Sequence, residues 1–64
     1  MKLTMQDNWG DAIEVRHLGN GAIEVLFRGA TTMELNARKA RDLVALLNVA
    51  ANEAAEAERG AGVH

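Results

Sequence analysis

The chain alternates apolar and polar residues early and changes period later. In residues 12–18, Ile13, Val15 and His17 alternate with Glu14, Arg16 and Leu18. In 22–28, Ile23, Val25 and Phe27 alternate with Glu24, Leu26 and Arg28. A period of two with β-branched residues predicts strands that bury one face. The tetrapeptide AIEV occurs in both segments, at 12–15 and 22–25, and reads as two neighbouring strands presenting the same face. GNG between them predicts a turn, since Gly and Asn tolerate positive φ.

The register of this hairpin follows from keeping like faces together. A two-residue Asn20-Gly21 turn would pair Val15 with Leu26 and mix the faces. A three-residue loop, Gly19-Asn20-Gly21, pairs Val15 with Val25, Ile13 with Phe27, His17 with Ile23 and Arg16 with Glu24, with Gly21 in the left-handed region. TTMELN predicts a third strand, in which Thr31, Met33 and Leu35 share a face; Gly29 and Ala30 mark the turn before it. The expected register pairs Phe27 with Met33, Val25 with Leu35 and Arg28 with Thr32, and avoids setting Glu24 against Glu34. LTM (3–5) also alternates and is a candidate fourth, edge strand. DNWGD (7–11) reads as a loop.

From Ala37 the period becomes 3.6. Asn36 is a favourable N-cap. Ala40, Leu43, Val44, Leu47, Ala50, Ala51, Ala54 and Ala55 form one stripe of a long helix. Gly60 stands where a C′ glycine would end it. The expected fold is α+β: a three-stranded antiparallel meander, four-stranded if 3–5 joins, followed by one long C-terminal helix packed on one sheet face. The expected organisation is a single domain over 1–59 and a flexible tail over 60–64.

Size and composition limit function. A chain of 64 residues supports only a marginal core. It has no cysteine, so disulfides and thiolate metal sites are excluded, and His17 and His64 alone have no usual metal-site spacing. Sharing a core with a second copy is then the expected route to stability. Leu46 and Val49 lie off the helical stripe, Leu18 and Leu26 point away from the helix-facing side of the sheet, and Trp9 is near them in sequence. These five are the candidate dimer or partner surface.

The net charge of −2, with both signs scattered, gives no broad attraction to nucleic acid. A local basic run exists at the helix start, where Arg38, Lys39 and Arg41, extended by Arg28, form a candidate anion or nucleic-acid patch, because helix N-termini attract anions. Glu14, Glu24 and Glu34 on the outer sheet face offset much of it. No apolar run approaches the roughly 20 residues of a membrane span, and MKLTMQDNW lacks the apolar stretch of a secretory signal, so a cytoplasmic protein is expected. No nucleophile stands beside a base, no glycine-rich loop joins a strand to a helix, and Asp7–Asp11 lacks the ligand pattern of an EF-hand. The expectation is a non-enzymatic protein with no cofactor. His17 is expected to be a partly buried strand-end histidine.

The segment GNGAIEVLF through MELNARKARDLVALLNVAANEA resembles a pattern that recurs in uncharacterised small βββα proteins of actinobacteria and their phages. It covers about 38 of the 64 residues and carries no catalytic motif. The resemblance implies a small cytoplasmic or phage-encoded accessory protein. In that family the helix start is often acidic; here it is Arg38-Lys39, a departure that weakens any transfer of function.

Overall fold

The computed structural model describes residues 1–62. Four strands, β1 (Lys2–Gln6), β2 (Ala12–His17), β3 (Ile23–Phe27) and β4 (Ala30–Leu35), precede one helix, α1 (Ala37–Gly62). The strands form an antiparallel meander in the order β1-β2-β3-β4. The candidate edge strand is therefore present and longer than its LTM centre, with Leu3 opposite Val15 and Met5 opposite Ile13. Residues 7–11 are the loop expected of them. Asp7 closes it, its Oδ1 accepting from the backbone N–H groups of Trp9 and Asp11, both at 2.9 Å.

The central hairpin has the expected register: Val15 opposite Val25, Ile13 opposite Phe27, His17 opposite Ile23 and Arg16 opposite Glu24. Gly21 has φ 88°, as the three-residue loop requires, and Asn20 Oδ1 accepts from the Ala22 N–H at 3.0 Å.

The β3–β4 register is not the one expected. Ile23 pairs with Leu35, Glu24 with Glu34 and Val25 with Met33, whereas Leu26 pairs with Thr31 and Phe27 with Ala30. Arg28 and Gly29 make a two-residue turn with φ 55° and 84°, the double positive φ that matches the twist of a tight hairpin. Continued unbroken, that turn would set Thr32 against Val25 and Glu34 against Ile23, placing polar residues of β4 on the apolar face. One extra residue, Thr32, is accommodated as a bulge between the Val25 and Leu26 pairings and restores Met33 and Leu35 to that face. The facing glutamates are tolerated because Glu24 has other partners. Thr31 Oγ1 donates to its Oε2 at 2.8 Å, and an Arg16 guanidinium nitrogen lies 3.9 Å from its Oε1.

Asn36 caps α1 as expected, its Oδ1 accepting from the Lys39 N–H at 2.8 Å. Such a cap stabilises by about 1 kcal/mol. The helix continues through Gly60 to Gly62, with Gly60 outside the left-handed region. A single helical glycine costs only about 1 kcal/mol relative to alanine, which the preceding alanine-rich run offsets. Thus 60–62 are helical rather than a tail, and the rest of the expected tail, 63–64, lies outside the described residues.

The main departure is where the helix goes. It does not lie across the sheet. Only its first turns rest beside β4, with Ala40 and Leu43 half-buried and the following residues through Gly60 exposed. The molecule measures 50 × 26 × 17 Å, and its 14.7 Å radius of gyration exceeds the about 11 Å of a compact chain this long. The connection explains this. Asn36 alone separates β4 from α1. One residue gives the chain no loop with which to reverse over the sheet, so the helix runs outward.

Candidate interaction surface

The two sheet faces are built from different side chains. On one, Leu3, Met5, Ile13, Val15, Val25 and Met33 form a continuous apolar area. Because the helix does not cover it, Leu3 is 57% exposed, Met5 62% and Met33 39%. A shallow apolar groove of about 180 Å³ runs between β1 and β2, lined by Leu3, Thr4, Met5, Ile13 and Val15.

The opposite face carries linked charges. Glu14 pairs with Arg16 and lies 3.9 Å from the Lys2 ammonium, and Arg16 reaches Glu24. Leu26 sits on this face, opposite Glu14 on one side and Thr31 on the other. At 4% exposure it is the one buried apolar residue among those described. Long charged side chains cover apolar surface with their aliphatic stems, and Leu26 occupies a central strand where such side chains surround it.

The expected dimer residues are therefore not one patch. Leu26 is buried and belongs to no exposed surface. Trp9 is 86% exposed, but in the β1–β2 loop, at the opposite end of the sheet from the helix. Leu18 is 48% exposed, beside the β2–β3 turn at the helix end of the sheet. Leu46 and Val49 are exposed on the outward part of α1, as are Val44 and Leu47 of the stripe itself. Val44, Leu47, Leu3 and Met5 escape a reading that assumes a covering helix. The single-residue connector after Leu35 is the sequence feature that could have exposed them.

The basic patch is also divided. Arg38, Lys39 and Arg41 stand at the helix start, next to the Leu35 end of β4, whereas Arg28 lies beyond its other end.

 Leu35 closes β4 on the helix side and Ala30 opens it on the Arg28 side. Six strand residues at roughly 3.3 Å each separate the two by about 20 Å. Arg28 is also engaged, its Nε lying 3.7 Å from Asp11 Oδ1. The Lys39 N–H at the helix start is already taken by Asn36. His17, expected to be partly buried, is exposed at the end of β2. Among the described residues no group of three or more His, Cys, Asp or Glu is placed to hold a metal ion, and no helix is long and apolar enough to cross a membrane.

The amount of exposed surface is unusual for the mass. A compact monomer of 6.9 kDa has about 4,000 Å² of accessible surface. This chain has 5339 Å². The difference, about 1,300 Å², exceeds the roughly 800 Å² that each partner contributes to a standard protein–protein interface. Comparison of the chain with protein-family models, with curated proteins and with solved structures finds no match.

Proposed function

We propose that this is a small, non-enzymatic interaction protein that acts as a homodimer and presents the dimer to a protein partner. The observation that carries the reading is the exposure of large apolar side chains on the sheet face and along α1, against a single buried apolar residue among those described, Leu26. Exposed apolar side chains drive association, and contiguous apolar patches on small proteins mark interaction sites. Sedimentation equilibrium at low micromolar concentration tests it. The expected mass is twice 6.9 kDa; a folded monomer at that concentration overturns the proposal.

A further inference from the structure

The helix carries a second pattern, finer than its broad stripe. Ala40, Leu43, Leu47, Ala50, Ala54 and Ala57 recur at alternating spacings of three and four, the spacing of a paired coiled-coil seam; Ala40 and Leu43 are half-buried beside β4, and Leu47 through Ala57 are exposed. Bulk is uneven along this seam, with both leucines in its first half. In a parallel, in-register pair, leucine would face leucine and alanine would face alanine, leaving the second half underfilled. An antiparallel pair with full overlap sets Leu43 against Ala54 of the second copy and Leu47 against Ala50 of the second copy. Large then faces small, as close packing prefers.

Charge reverses along the same helix. Arg38, Lys39 and Arg41 with Asp42 give the first half a net charge of +2; Glu53, Glu56 and Glu58 with Arg59 give the second half −2. For a lone helix this order is unfavourable, since cations crowd the positive end of the dipole and anions approach the negative end. Among the described residues, Arg38, Lys39, Arg41, Glu53 and Glu58 make no ion pair within the chain; of this set of helix charges, only Glu56 and Arg59 pair. An antiparallel copy brings an acidic half beside each basic half, with Lys39, Glu53 and Glu58 flanking the seam.

From this charge complementarity and size matching we infer that α1 pairs antiparallel with α1 of a second copy of this chain, centred between Leu47 and Ala50. The inference rests on the homodimer reading and specifies its geometry.

The absence of cysteine makes the test direct. Ala40→Cys and Ala57→Cys chains are prepared separately, confirmed as dimers by sedimentation, mixed under reducing conditions and mildly oxidised. In the antiparallel pair the two positions meet across the seam, while like positions lie about 25 Å apart along the axis at 1.5 Å per residue. A disulfide needs Cα atoms within about 7 Å. The expected product is a mixed disulfide that neither variant forms alone. Disulfides within each variant alone, or none in the mixture while the wild-type chain is dimeric, overturn the helix pairing and leave the homodimer standing. A monomeric wild-type chain overturns both. If the cysteine chains fail to dimerise, the double variant E53K/E58K decides. It is expected to weaken self-association at least tenfold with unchanged helical circular dichroism; an unchanged dissociation constant overturns the inference.

Discussion

The charged face of the sheet holds the one buried apolar residue among those described, whereas the apolar face is half-buried at its centre and bare at its edge. On the charged face, Leu26 is 4% exposed, between Glu14 and Thr31 of the neighbouring strands. On the apolar face, Leu3 and Met5 keep more than half of their surface in contact with solvent. The contrast teaches that burial depends on what can reach a residue as well as on its own chemistry. Glu14, Arg16 and Lys2 reach across their neighbours and link to one another. Ile13, Val15 and Val25 need a second layer, and the helix that alternation and length would supply is directed elsewhere.

Replacing Leu26 with Ala should break the contrast most strongly. A buried leucine truncated to alanine costs about 3 kcal/mol, a large part of the stability of a chain this small. Urea unfolding monitored by circular dichroism is expected to show the midpoint falling sharply or the transition disappearing. A change below about 1 kcal/mol would show that the charged face does not shelter a core residue.

Gly29→Ala should have an intermediate effect. No neighbouring atom lies within 4 Å of a Cβ placed there, so space is not the obstacle. The backbone is: φ is 84°, and a left-handed conformation costs an L-residue roughly 1–2 kcal/mol. The same unfolding measurement should register a loss of about that size. This turn, with the bulge at Thr32, keeps Met33 and Leu35 on the apolar side.

Leu3→Ser should have the smallest effect on the isolated chain. Leu3 is 57% exposed on an edge strand, so dilute unfolding should shift by less than about 0.5 kcal/mol. The ratio of the Leu26 and Leu3 effects measures the difference between the faces. Equal losses would mean that the apolar face is covered within a single chain.

Much of the sheet is legible in the sequence because local chemistry specifies it. Alternation assigns the faces, GNG sets the central loop, and requiring Val15 to face Val25 fixes that register. Asn36 is readable as a cap for the same reason, since it acts on an N–H three residues away. The β3–β4 register is not recovered. Repulsion between Glu24 and Glu34 argues against the observed register only if the pair stands alone, whereas Thr31 and Arg16 also contact Glu24, and a bulge separates turn geometry from face assignment. The interaction surface is legible only in pieces. Leu46, Val49, Leu18 and Trp9 are exposed as read, but Leu26 is not. Alternation assigns the apolar face of the sheet to a covering helix, which a one-residue connection directs away.

That connection has a quantitative consequence. Two surfaces on one chain joined by a pliable tether meet at an effective concentration in the millimolar range, above what a separate molecule supplies in dilute solution. A one-residue joint at Asn36 removes this advantage of self-contact. Neighbouring molecules can then compete for the same greasy surfaces on equal terms, so the length of a single linker sets the balance between closing on oneself and recruiting company.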